Sequence, residues 1–186
     1  LFCYVVLFYG HRYDHNAPLE ETLQALGDIG LQGKVLYVGI GRWPLEARKI
    51  ADKDLRGHDV PLLIYRGILN MLDHSPQDEG ILDYCAEHGV GFISFSPLAQ
   101  GLLTDRYLNG IPEDSRMARE HFLKHSMLTP ELLAHLKQLN AHAEAQGKTL
   151  AEMALRWILE QKGVTSVLVG ASSPEQLLKN LKCIAE

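Results

Sequence analysis

The stretch Phe95-Ser96-Pro97-Leu98-Ala99-Gln100-Gly101-Leu102-Leu103-Thr104 follows an apolar run at 90–94 and combines small, hydroxylated and glycine residues. A buried strand that opens into such a loop offers backbone N–H groups and little steric bulk to an anionic ligand. A similar transition recurs near the C-terminus, where Ser166–Ala171 runs into Ser172-Ser173-Pro174-Glu175-Gln176. Ser173 is a good helix N-cap, and Pro174 suits the first helical turn. Two such loops fit an extended ligand that carries more than one phosphate. A dinucleotide is the natural candidate.

Other constellations point less clearly to chemistry. His11 stands at the end of an apolar run, where a lone histidine is either a site residue or a solvated one. His121 and His125 are spaced i, i+4, but no third ligand stands in a motif with them, so solvated side chains are expected. Glu20 and Glu21 fall in a helical first turn, where a favourable dipole interaction accounts for them. The sequence contains no GxSxG, P-loop or HExxH pattern.

The elements that must position these residues come from a chain of 186 residues, 46% hydrophobic and 22% charged, enough for one ordinary core. A formal charge of −5 argues against nucleic acid as the main partner. Cys3, Cys85 and Cys183 form no CxxC pair and are expected as free thiols in a reducing cytoplasm. The run 1–9 has no basic flank and is too short to span a bilayer, so no membrane role is expected. It reads as a buried strand met part-way, which suggests a piece of a larger protein.

Apolar runs at 4–9, 35–40, 62–65, 91–95 and 166–169 are continuous and not alternating, the pattern of strands covered on both faces. Helical patterns occupy 19–26, 45–55, 79–87, 131–145, 150–162 and 175–184. Gly27 and Gly30 lie within the pattern that follows Pro18, while Gly89 and Gly147 read as helix stops. The first four strands recur at the period of βαβ units. The fifth follows a polar connection over 105–128, long enough to predict a functional loop. Buried parallel strands without a GxGxxG fingerprint favour a barrel, whose sites lie where strands end and βα loops begin.

Five segments are recognisable together: Phe8–Asp14 with His11, Pro18–Thr22, Gly33–Ile40, Ser96–Gly101 and Gly170–Gln176. In order and spacing they resemble the aldo-keto reductases, in the branch of bacterial L-glyceraldehyde 3-phosphate reductases and potassium-channel β subunits. The resemblance covers essentially the whole chain. It implies an α/β fold, a (β/α)8 TIM barrel of which about five strands are present, as one domain over 1–186 lacking its N-terminal strands and C-terminal tail. It also implies NADPH-dependent reduction of small aldehydes or ketones, with a small carbonyl compound as substrate and self-association as an expectation. An NADPH-binding regulatory subunit is the alternative.

Of the family's Asp, Tyr, Lys and His tetrad, only the histidine falls in this sequence, at His11, so the 186 residues alone are expected to be inactive. The resemblance places Phe95 against the nicotinamide, and Ser96, Pro97, Leu98, Ala99 and Gln100 around the pyrophosphate. Arg106 and Arg116 match basic positions in the long connection, where guanidinium groups can cover phosphate. Gly170, Ser172, Gln176 and Asn180 match the adenosine end. Gly41 and Arg66 occupy positions where the family usually carries Ser and Gln for the nicotinamide carboxamide. Arg42 agrees with the channel-subunit branch, Lys179 replaces a frequent Glu, and Gly10 replaces a common Ser.

Overall fold

The structure, a computed structural model, describes residues 4–120 and 122–184; Cys3 and His121 lie outside the described residues. The chain divides into two compact units. One comprises the residues up to Ile68 together with Ser75–Ser94 and Lys162–Ser166. The other comprises Leu69–His74, Phe95–Gln161 and the residues from Val167 onward.

The first unit is built on the alternation that the apolar runs predict. Strand β1 (Val5–Gly10) leads to helix α1 (Leu19–Leu31), β2 (Val35–Gly41), α2 (Leu45–Gly57) and β3 (Leu62–Ile68). A single turn, α3 (Ser75–Asp78), precedes α4 (Ile81–His88), and β4 (Gly91–Phe95) and β5 (Val164–Val167) complete a sheet in the order β1-β2-β3-β4-β5. β1 pairs with β2, and β2 with β3, in parallel. Val38, Ile40, Leu55 and Phe92 are sealed from solvent, each contributing about 1.5–3 kcal/mol through burial.

Helix α1 runs on through Gly27 and Gly30, five residues beyond the predicted segment. Packing supplies the reason at Gly30: a β-carbon there would lie 2.4 Å from Val60 Cγ2, so only glycine lets the helix approach this closely. Glu20 and Glu21 do occupy the first turn. Gly89 does end α4, in the left-handed conformation.

Burial corrects one expectation. The outer strands are not covered on both faces: Val5 is 53% exposed, Val6 58% and Phe8 44%, and Thr165 and Ser166 of β5 are also exposed. β1 and β5 are the edges of this sheet, each with one neighbouring strand, but the exposure is not confined to them: Leu36 of β2 is 51% exposed, Tyr37 37% and Leu63 of β3 36%.

The second unit packs α5 (Pro130–Ala145), α6 (Leu150–Leu159) and α7 (Pro174–Leu181), the last followed by a 3-10 turn at Lys182–Ile184. Each helix starts on a side-chain cap: Thr129 accepts from Leu132 N–H, Thr149 from Glu152 N–H and Ser173 from Gln176 N–H. The 105–128 connection differs from a free loop. Tyr107, Met117 and Leu123 are buried in one cluster with Leu103, Leu136 and Leu150, so apolar anchors tie this largely non-helical segment to the helices. Among the described residues no helix is long and apolar enough to cross a membrane. Cys85 and Cys183 are free thiols.

Candidate functional site

In the first unit, parallel pairing aligns the strand ends. Gly10 pairs with Ile40 and Gly41 with Arg66, which brings His11, one residue past the end of β1, beside Gly41 and Arg66. The alignment ends in direct contact, with Arg66 Nη2 3.1 Å from His11 Nδ1.

Gly41 makes that contact sterically possible. A β-carbon at position 41 would lie 2.9 Å from the His11 carbonyl oxygen, 3.4 Å from that of Arg66 and 3.6 Å from His11 Nδ1. The backbone then turns through Arg42, at φ 59°, whose N–H donates to Arg66 O at 3.1 Å. The Arg66 guanidinium lies 5.7 Å from the centroid of the Tyr9 ring, a cation–π distance. Burial pushes the Tyr9 hydroxyl above its ordinary pKa, and the Arg66 charge opposes that rise. Behind this row Tyr65 O–H donates to Trp43 O at 3.2 Å, which ties the strand end to the turn after β2. His11, Gly41, Arg42 and Arg66 are therefore assembled.

In the second unit, the loop after β4 is unusually bent. Ser96 (φ 54°), Ala99 (φ 45°), Gln100 (φ 59°) and Gly101 (φ 104°) all lie at positive φ. Three non-glycine residues in that region store strain, which persists only where surrounding structure over-determines it. One restraint is Asn70, almost fully buried, whose Nδ2 donates to Ser96 O at 3.1 Å while its Oδ1 accepts from Leu72 N–H at 2.9 Å. Sequence reading missed Asn70; the available signal was a lone carboxamide inside the apolar run 68–72. Within the loop the amides of Ala99, Gly101, Leu102 and Leu103 already donate to Ser96 or to Leu98 and Ala99 carbonyls. Fewer N–H groups therefore face outward than composition alone suggested. Pro97 is buried, and Phe95, Ser96, Leu98, Ala99 and Gln100 are half-buried.

The basic positions of the long connection are surface groups. Arg106 forms an ion pair with Asp114, Nη2 to Oδ2 at 2.9 Å, and Arg116 is exposed. An exposed pair of this kind is worth about 0–1 kcal/mol, so an incoming phosphate can compete for the guanidinium. Gly170 and Ser172 before α7, Gln176 in its first turn and Lys179 in its last turn are all exposed, and Ser172 N–H donates to Gln176 Oε1 at 2.6 Å. Asn180 is different: it is 5% exposed, and its Nδ2 is buried with no hydrogen-bond partner. Such an orphaned donor is costly unless a ligand atom satisfies it.

Among the described residues, which leave out His121, no group of three or more His, Cys, Asp or Glu could hold a metal ion. His125 Nδ1 instead lies 3.2 Å from Glu120 Oε1.

The model of the Aldo/keto reductase family matches residues 3–186. The chain is 47% identical over 185 residues to an L-glyceraldehyde 3-phosphate reductase of Escherichia coli O157:H7, covering 97% of this chain and 54% of that protein. The protein of the same name from E. coli K12 is 46% identical with the same coverage. The chain thus spans about half the length of these relatives. The fold is similar to the crystal structure of the thermostable aldo-keto reductase Tm1743 in complex with the inhibitor epalrestat, with a TM-score of 0.72 at 23% identity over 99% of this chain and 56% of that one.

Proposed function

This chain belongs to the aldo/keto reductase family, a family of oxidoreductases, and from that premise we propose that the full-length protein reduces small aldehydes or ketones with NADPH in the cytoplasm. The observation that carries the reading is the placement of His11 at the end of a parallel strand, with Nδ1 engaged by Arg66. That arrangement leaves the other ring nitrogen to meet a carbonyl oxygen. Reduction adds a hydride to the carbonyl carbon and a proton to the oxygen, and a hydrogen-bond donor at that oxygen stabilises the charge that develops. His11 serves as this donor and orients the carbonyl; no residue of this chain is assigned the proton transfer.

The residues present fit the cofactor at its adenosine and phosphate ends. The orphaned Asn180 Nδ2 matches a purine nitrogen as acceptor, and Ser172 and Lys179 stand close by in sequence for a 2′-phosphate. Arg106 and Arg116 supply guanidinium groups for phosphate, and the strained 96–101 loop supplies a small-residue cradle. When bound, NADPH supplies the hydride. A lysine beside a dianionic phosphate favours NADPH over NADH through a charge-assisted contact, which salt screens.

A second reading, a regulatory subunit that holds NADPH without efficient turnover, is favoured by one observation. Arg66 engages His11, at a position where resemblance implies a glutamine for the nicotinamide carboxamide. Steady-state NADPH oxidation by the full-length protein with methylglyoxal or glyceraldehyde phosphate separates the two. Brisk turnover supports the reductase and excludes the silent subunit; cofactor binding without turnover does the reverse. Fluorescence titration tests the cofactor: Lys179→Glu is expected to narrow the preference for NADPH, and equal affinity of the unaltered protein for both cofactors refutes that preference.

A further inference from the structure

The geometry points to Arg66 as a positioning residue that, in the space Gly41 leaves open, holds His11 with its ring proton on Nε2. The inference rests on the reductase reading for its catalytic meaning, and on hydrogen-bond chemistry for its structural content.

A guanidinium only donates hydrogen bonds and keeps its charge under all ordinary conditions. With Arg66 Nη2 3.1 Å from His11 Nδ1, that ring nitrogen must be the acceptor. A neutral imidazole has one N–H, so the proton resides on Nε2. The opposite tautomer would set two N–H groups against each other at the same distance. Arg66 is itself restrained: it extends from β3, lies over the Tyr9 ring at 5.7 Å, and its carbonyl accepts Arg42 N–H at 3.1 Å. The donor therefore approaches from a defined direction and orients the ring as well as choosing its tautomer.

Gly41 belongs to the same device. A β-carbon there meets the His11 carbonyl at 2.9 Å, which is backbone and cannot yield as a flexible side chain would. Any larger residue at 41 pushes the 11–12 backbone away and lengthens the Arg66 contact. Glycine at 41 and arginine at 66 thus act as one change, directed at the histidine.

The test uses the full-length protein labelled with 15N-histidine, observed at about pH 8.5, where imidazole is neutral. Long-range 1H–15N correlations report which ring nitrogen carries the proton, and the His11 signals are assigned by their loss in His11→Gln. The unaltered protein is expected to show His11 as the Nε2–H tautomer. Arg66→Leu, which cannot donate, is expected to give a mixture of tautomers, and Arg66→Lys to restore the single one. Gly41→Ser is expected to broaden or mix the His11 signals without altering Arg66. With a carbonyl substrate, Arg66→Leu is expected to lower kcat by about tenfold with a smaller change in KM, and Arg66→Lys to recover most of it. A proton on Nδ1 in the unaltered protein overturns the inference, as does a tautomer unmoved by a folded Arg66→Leu variant. The Nε2–H signature in a protein that reduces no carbonyl compound would sink the reductase reading and leave the positioning role standing. Turnover with the proton on Nδ1 would do the converse.

Discussion

Arg48 Nη1 lies 3.1 Å from Cys85 Sγ, and neither side chain reaches solvent. The guanidinium carbon is 4.7 Å from the centroids of both the Tyr65 and Tyr84 rings, and Nη1 also reaches Ile81 O at 3.4 Å. Nε and Nη2 have no hydrogen-bond partner. Two aromatic faces thus provide much of what compensates for removing this cation from water. Strand β3, helix α2 and helix α4 meet at this one side chain.

Arg48→Ala is therefore expected to destabilise the protein by about 2–4 kcal/mol, because it empties the space between two rings. Arg48→Met keeps much of the volume and removes two unpartnered donors, so it is expected to cost less than half as much. Urea unfolding of the full-length protein checks the order. Equal losses for both variants would show that charge, and not packing, dominates.

Alkaline pH should loosen the same cluster. Burial, more than any neighbouring charge, pushes the Tyr65 hydroxyl up to about 12; burial and then the hydrogen bond to Asp52 do the same for Tyr84. Both groups titrate above their unfolded value near 10, so the folded state keeps protons that the unfolded chain releases. Their contribution is complete below about pH 10 and is lost as pH rises towards 12. The melting temperature is expected to fall across that window, and less steeply in Tyr65→Phe. A parallel fall in both proteins would refute the assignment.

Thiol reactivity should divide the two described cysteines. Burial raises both thiol pKa values, but Cys85 is fully enclosed whereas Cys183 is partly exposed. Iodoacetamide at about pH 8, near the ordinary thiol range, is expected to modify Cys183 first and Cys85 only with unfolding. Mass spectrometry of timed digests reads the order directly.

The start of α6 offers a local test. Thr149 Oγ1 accepts from Glu152 N–H at 3.2 Å, and Glu152 Oε2 accepts from Thr149 N–H at 2.7 Å. Thr149→Ala is expected to cost about 1 kcal/mol. The Thr149 amide is the main cause holding the Glu152 carboxyl below its usual pKa, so this cap stabilises above the ordinary carboxylate range and weakens as pH falls through it. Thr149→Ala keeps the backbone donor, so the pH test uses Glu152→Ala: its denaturation at neutral and at acidic pH should show a difference from the unaltered protein that shrinks in acid.

Local signals were sufficient for most elements. β4 matches its apolar run from Gly91 to Phe95, and α7 begins as Ser173 and Pro174 require, because caps and continuous apolar runs are short-range properties. β5 is displaced by two residues, to Val164–Val167, and α6 stops at Leu159, since a few residues of Val and Thr carry no register of their own. The exposure of Val5, Val6 and Phe8 was not readable from composition, which is the same for an edge strand and an enclosed one.

For the site, sequence by itself determined the residue types and their places at or near strand ends: His11 after β1, Gly41 at the end of β2, Arg66 near the end of β3, two residues before Ile68, and the Ser96–Gln100 loop after Phe95 closes β4. It also determined family membership, which five motifs in order express. Tertiary structure alone decided which of these groups touch. Residues 11 and 66 meet because two parallel registers bring three strand ends level. Arg106 turns to Asp114, Asn70 ties Ser96, and Asn180 is left with an unmet donor, none of which spacing along the chain encodes. The physical reason is that hydrogen bonds depend on direction and on distances of a few tenths of an ångström, whereas sequence patterns record only periodicity and size.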